Sequence, residues 1–247
     1  MSNSALRLDQ LLLDAGLVSS RSRARDAIQR GTVKVEGRVV TKPGSVVARD
    51  AAIEIDDPAR DYVSRAALKL AAALDHFGFD PAGQACLDVG ASTGGFTEVL
   101  LRRGAAHVTA IDVGHGQMHP RIATDARVTN IEGLNARNLT AADIGHAVTF
   151  LVSDVSFISL KLALAPALAL AEAGARCVLL VKPQFEAGRE AIAKSGLLKD
   201  PASAPAVAAE LARWLGEDMG WRVLGLIPSP IAGGDGNGEF LLAGEKP

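Results

Sequence analysis

Cysteine is scarce: Cys86 and Cys177 are the only two in 247 residues. Each sits in an apolar, strand-like run without metal-ligand spacing, so both read as small buried hydrophobes of a reducing compartment. The histidines offer no alternative. His107, His115, His119 and His146 show no paired spacing, and no metal site is expected. No long apolar run survives uninterrupted either. The most apolar region, residues 160–181, is broken by Lys161, Pro166, Glu172 and Arg176, which excludes a membrane span. Residues 1–10 lack the apolar segment behind basic residues that marks a signal peptide. Repeats and low-complexity tracts are absent. These absences predict a soluble, cytoplasmic protein with no membrane partner.

Apolar residues make up 48% of the chain, enough for a sizeable core. The formal net charge of −2 announces no polyanionic partner by itself, but it hides a segregation. Nine basic and four acidic residues stand between Met1 and Arg49, an excess of five that leaves the remainder at −7. A basic head of this kind suits nucleic acid. Within it, apolar residues from Leu6 to Leu17 fall at helical spacing. Ser19 or Ser20 can cap a second helix and Gly31 can end it. The run "TVKVEGRVV" alternates about Glu36-Gly37, as a hairpin does, and "AAIEIDD" reads as a last short strand. Two small helices leading into a hairpin, with arginines on the second, resemble the S4-type RNA-binding domain over residues 5–56. The resemblance implies RNA contacts from Arg7, Arg21, Arg23, Arg25, Arg30, Lys34 and Arg38.

Residues 57–63 form a polar, proline-containing connector. From residue 64 to 247 helices and strands alternate: helix 64–77, strand 85–90, helix 95–104, strand 107–114, then strands near 127–132, 148–156 and 176–183. Apolar strands bounded by Gly and Pro and separated by helices imply a mostly parallel sheet covered on both faces. The closing strands, 221–231 and 238–245, are joined by a Gly-rich turn with no room for a helix, so the last runs antiparallel. The fold class is therefore α/β; parallel strands closed by an antiparallel hairpin resemble the Rossmann-like sheet of S-adenosyl-L-methionine (SAM)-dependent methyltransferases, here preceded by the small α+β domain that resembles the S4-type RNA-binding domain.

The run "LDVGASTGGFTEVLL" is strand, glycine loop and helix, without the G-x-G-x-x-G spacing of dinucleotide folds. Its glycines let backbone pass close to a ligand at the carboxyl end of the first strand. An acid ahead of the loop suits a cofactor bearing an amino group and a sulfonium, and an acid ending the second strand can accept from both ribose hydroxyls. The expected cofactor contacts are Asp88, Gly90, Ala91, Ser92, Thr93, Gly94, Gly95, Phe96, Asp112 and Val113, with Asn135 placed to meet an adenine.

Carboxyl ends of parallel strands share one sheet edge. Asp154 and Lys182 end the fourth and fifth strands there. Glu239 opens the antiparallel strand and so reaches the same edge, and Lys69, on the helix before the first strand, can lean over it. Methylating a ribose 2′-hydroxyl requires a weakly acidic alcohol to lose its proton as it attacks. A partly desolvated lysine beside another cation can serve as base. Lys182 is expected in that role, with Lys69 steadying the alkoxide and Asp154 and Glu239 orienting the lysines. Arg65, one turn before Lys69, is a further candidate for RNA phosphate. Phe157 and Phe185 could stack on a splayed base or pack in the core. The segment 186–201 reads as a flap or an ordinary surface loop.

The segments "YVSRAALKL", "LDVGASTGGFTEVLL", "SDVSFISL", "VKPQFEAG" and "SPIAGGDGNGEFLL" resemble the TlyA (hemolysin A) family, whose catalytic half is similar to FtsJ-type ribose methyltransferases. The resemblance implies a Lys-Asp-Lys-Glu tetrad at Lys69, Asp154, Lys182 and Glu239. It also implies SAM as donor and 2′-O-methylation of cytidine in ribosomal RNA, free or in a ribosomal subunit. The family's aromatic position in "DVGYGQ" is His115 here. Two other functions compete. A non-catalytic RNA-binding or ribosome-assembly factor would not need the tetrad, and a membrane-lytic toxin would need an apolar span or a strongly amphipathic surface helix.

Overall fold

The computed structural model of the chain describes residues 5–247. The chain divides into two compact units, the first running to Asp61 and the second being Tyr62–Pro247.

In the first unit, β1 (Leu6–Arg7) leads into α1 (Leu8–Asp14) and α2 (Arg21–Gln29). Ser20 caps α2 by accepting from the Arg23 amide. Next come β2 (Val33–Val35), β3 (Arg38–Val39), β4 (Val46–Val47) and β5 (Ile53–Ile55). Strands β3-β2-β5 make one antiparallel sheet and β1-β4 another. The hairpin turns at Glu36 and Gly37, both with positive φ (49° and 73°), the pair of left-handed residues that matches the strand twist. Leu8, Leu12, Ala24, Ala27, Ile28 and Val33 close the small core. Part of the expected connector is held in this unit. Arg30 grips the Asp57 carboxylate through two 2.8 Å hydrogen bonds, and Ala59 is buried.

The second unit runs α3 (Ala67–Phe77), β6 (Ala85–Val89), α4 (Gly95–Arg102), β7 (His107–Asp112), α5 (Pro120–Ala123) and β8 (Val128–Glu132). It continues with α6 (Ala141–Ile144), β9 (Val148–Ser153), α7 (Leu160–Leu170), β10 (Ala171–Val181) and α8 (Pro183–Glu186). It closes with α9 (Ala204–Glu217), β11 (Arg222–Pro228) and β12 (Phe240–Glu245). The sheet order is β11-β12-β10-β9-β6-β7-β8. Strands β6 to β10 pair in parallel, and β12 enters antiparallel between β10 and β11. Alternate residues feed opposite faces. Cys177, Leu179 and Val181 join the core under α7 and α9, while Val178 and Leu180 join the one under α3 and α4. A strand covered on both faces must be apolar throughout, which accounts for the unbroken "CVLLV". The mostly parallel sheet with an antiparallel last strand, expected from the alternation and the closing hairpin, is what forms.

Candidate active site

Strand register brings the site together. Val181 pairs with Phe240, so Lys182 and Glu239, each the next residue outward, stand at one edge. Val89 pairs with Ser153, so Gly90 and Asp154 meet at that edge too. There the four ionisable residues form two pairs. Lys69 Nζ lies 2.5 Å from Glu239 Oε2, with side chains 6% and 2% exposed. Lys182 Nζ lies 2.6 Å from Asp154 Oδ1, with side chains 11% and 17% exposed. Ionisable groups this dry need a partner of opposite sign, and each has one. Lys182 also donates to Ser156 Oγ at 2.6 Å.

Beside this edge lies a cavity of about 510 Å³. Its wall includes Gly90, Ser92, Asp112, Val113, Gln117, Asn135, Asp154 and Ser156. Such a volume falls in the range of small-molecule sites. Gly90 is required by the packing. Its φ is +83°, and a β-carbon there would lie 2.9 Å from Val155 Cγ1 and 3.1 Å from the Asp154 carbonyl carbon. Asp112 holds the wall in shape, accepting from the Ser92 amide at 2.8 Å and the Gly114 amide at 2.7 Å. Its oxygens keep lone pairs for ligand hydroxyls, and the 67% exposed Val113 supplies an apolar surface beside them. Glu132 ties the amides of Gly116, Gln117 and Met118, and these bonds hold its carboxyl below the usual range. Gly90, Ser92, Asp112, Val113 and Asn135 are thus on the cavity wall; this donor set and volume fit a nucleoside-bearing cofactor.

The rest of the expected contact set is placed otherwise. Gly95 packs against Ser64 and Ala67, and Gly94 against Ile122. Ala91 and Phe96 are buried in the core on that side of the sheet. Thr93 is exposed, off the cavity wall. Asp88 is fully buried and accepts from Thr97 Oγ1 at 2.6 Å, leaving Oδ1 without a partner. Burial pushes its carboxyl up to about 7, against the Thr97 hydroxyl. Its hydrogen-bond partner is on α4, and it is off the cavity wall on which it was expected to meet the ligand. One alternation of side chains decides this: Val89 and Asp88 point to opposite faces, and only the strand end reaches the cavity.

Phe157 is 88% exposed with φ +66°, and its ring lies 5.1 Å from that of Phe185, tilted by 50°. An exposed aromatic in a left-handed conformation is no core residue. Ser156 and Asn237 were missed by sequence reasoning. Asn237 is buried and bonds the Leu198 amide and the Gly196 carbonyl, stapling the 186–201 segment to the loop that carries Glu239. Asparagine between glycines reads as a turn residue, so nothing local marked it. Ser156 could have been found by its place two residues beyond Asp154.

In the first unit the arginines divide. Arg30, 14% exposed and bound to both Asp26 and Asp57, is structural, which corrects its expected RNA role. Arg7 and Arg21 neutralise the buried Asp9, whose carboxyl they hold down at about 2, while staying half exposed. Arg23 donates to the Ala59 carbonyl. Arg25 and Arg38 are exposed, and Lys34, also exposed, lies 4.0 Å from Glu54. Arg65, in the second unit, is half-buried just before α3. Among the described residues no helix is long and apolar enough to cross a membrane.

Comparison with known proteins matches the FtsJ-like methyltransferase family over residues 62–246 and the S4 domain over residues 6–53. The chain is 43% identical over 237 residues to the 16S/23S rRNA (cytidine-2′-O)-methyltransferase TlyA of Mycobacterium tuberculosis, covering 96% of this chain and 88% of that one. It is 37% identical to Hemolysin A of Brachyspira hyodysenteriae over 96% of this chain and 98% of the other. A solved structure bearing a hemolysin name, from Streptococcus thermophilus, aligns at TM-score 0.75 and 38% identity, covering 99% of this chain and 90% of that one.

Proposed function

The chain belongs to the FtsJ-like methyltransferase family, with an S4 domain ahead of the catalytic unit, and from that premise we propose that it methylates the ribose 2′-hydroxyl of cytidine in ribosomal RNA, using SAM. The observation that carries the reading is the meeting of two lysine–carboxylate pairs at the sheet edge that also bounds the glycine-loop cavity. Asp112, Val113 and Asn135 would hold the nucleoside half of the cofactor, and Gly90 and Ser92 would let it lie close to backbone. When bound, SAM supplies an electrophilic methyl group on a sulfonium sulfur.

The protein's own work is to position and deprotonate the alcohol. Lys182, in its unprotonated form, accepts the hydroxyl proton at Nζ, while the Lys69 ammonium faces the charge developing on oxygen. Asp154 keeps Lys182 at the cavity, and Glu239 keeps Lys69 there. Rigid placement supplies much of the acceleration, because reacting atoms held near contact distance lose little further entropy. Phe157, backed by Phe185, offers a face on which the target base can stack. Exposed Arg25, Lys34 and Arg38 meet RNA phosphate.

The test is transfer of labelled methyl from SAM to ribosomal RNA, followed by mapping of ribose-methylated sites with and without the protein. The expected result is a cytidine 2′-O-methyl mark made by the wild type and lost with Lys182→Ala. RNA binding without methyl transfer would instead indicate an assembly factor, and liposome leakage without transfer a lytic protein.

A further inference from the structure

The two close partners of Lys182 act on it differently. Asp154 Oδ1 is 2.6 Å from Nζ but receives no aligned hydrogen bond, so the carboxylate attracts the ammonium without aiming it. Among the described residues, the one hydrogen bond from Nζ goes to Ser156 Oγ, at 2.6 Å. We infer that Ser156 is a positioning residue that sets the direction of the Lys182 lone pair; this rests on the proposed role of Lys182 as base.

The argument is one of tetrahedral geometry. An amine nitrogen has four corners, and Cε occupies one. Once an N–H is held on Ser156 Oγ, the torsion about Cε–Nζ is set, and the two remaining corners have fixed directions. The Asp154 carboxylate, 2.6 Å away but off the line of a regular hydrogen bond, favours the second N–H on its own side electrostatically. The last corner is left for the lone pair that takes the substrate proton. Attraction by Asp154 alone would leave the amine free to turn, and the lone pair would spend much of its time aimed elsewhere. Ser156 keeps its own proton throughout.

The serine is itself well placed to do this. It lines the cavity with Asp154. The turn that carries it is held at both ends. The Asp154 amide donates to the Val89 carbonyl at 3.1 Å, and Ser159, whose hydroxyl donates to Glu186 at 2.6 Å, caps α7. Val155 packs against Gly90 between these anchors. Because Ser156 is exposed, removing its hydroxyl leaves no void, and the amine of Lys182 keeps the charge of Asp154 beside it.

The experiment compares Ser156→Ala and Ser156→Thr with the wild type in two assays. In single-site methyl transfer to ribosomal RNA, Ser156→Ala is expected to lower kcat roughly tenfold with KM for SAM and RNA unchanged, the signature of an interaction used in the transition state. Ser156→Thr, which keeps the hydroxyl, is expected to recover within about twofold, on the same argument. In protein labelled with 15N-lysine, the Lys182 side-chain signal is assigned by its disappearance in Lys182→Ala. Its protons are expected to exchange with water on the order of tenfold faster in Ser156→Ala, as befits loss of a hydrogen bond to a charged group. A thermal midpoint equal to that of the wild type confirms that the fold is intact. The inference is overturned by an unchanged kcat and exchange rate, by a loss that threonine does not restore, or by an effect on KM alone. Should the wild type transfer no methyl group, the proposed function falls, while the exchange measurement still decides whether Ser156 holds Lys182.

Discussion

Replacing Glu239 with glutamine strands an ammonium in a dry site. The Lys69 and Glu239 side chains are 6% and 2% exposed and 2.5 Å apart. Removing one partner of a buried pair costs about 3–5 kcal/mol, because the remaining charge has neither water nor counter-charge. Each kcal/mol lowers the melting temperature of a unit this size by about 2–4 °C, so Glu239→Gln should melt about 6–20 °C below the wild type. Lys69→Met should be similar, since it leaves the carboxylate stranded instead. The double variant Lys69→Met/Glu239→Leu has no buried charge left, and it should recover most of the lost stability, because a buried pair and an apolar pair of like volume are near equal in free energy. All three should lack methyl transfer. Tryptophan fluorescence is the apt probe. Trp214 and Trp221 are the only tryptophans, both buried in the second unit, so the signal follows the unit that contains the pair. If the single variants melt within 1–2 °C of the wild type, or the double is no more stable than either single, the energetic account of this pair is wrong.

Other outcomes follow from the same structure. The Asp88 carboxyl is pushed up to about 7 by burial, against an ordinary value near 4 in the unfolded chain. The folded state therefore holds this proton more tightly, and its contribution to stability is complete below about pH 4, declines as pH rises to about 7, and is level above. Urea midpoints read by tryptophan fluorescence should show this decline, and Asp88→Asn should remove it. Arg25→Ala and Arg38→Ala should each weaken RNA binding and reduce the slope of log affinity against log salt by about 1 without altering amide exchange. Arg30→Ala should do the reverse, speeding amide exchange throughout the first unit through loss of its bonds to Asp57. Gly90→Ala forces a β-carbon against the Val155 and Asp154 backbone at φ +83°, and should cost about 1–3 kcal/mol in the fluorescence melt and abolish transfer.

How much of this was legible beforehand depended on whether the signal was periodic and local or required knowledge of a neighbour. Strands such as β10 announce themselves because a strand buried on both faces needs an unbroken apolar run. The β6 glycine loop, the Glu36-Gly37 hairpin and the antiparallel return of β12 are likewise backbone requirements written in neighbouring residues. Asp154, Lys182 and Glu239 were legible through their positions at strand ends, and Lys69, on α3, through its helix and the resemblance. Arg30 was misjudged because an arginine on an exposed-looking helix has the same local pattern whether it meets phosphate or Asp57. Asp88 falls off the cavity wall by a single residue of alternation at the strand end.

By itself, then, the order of amino acids determined the elements, the parallel sheet with its reversed last strand, and the edge at which the charged residues gather, since each follows from side-chain periodicity and short-range turn chemistry. Only the tertiary structure decided which lysine faces which acid, which arginines are consumed by the fold, and that a serine hydroxyl accepts a hydrogen bond from Lys182. Those outcomes depend on distances between groups far apart in the chain, and hydrogen bonds and ion pairs gain or lose their worth within a fraction of an ångström and a few tens of degrees.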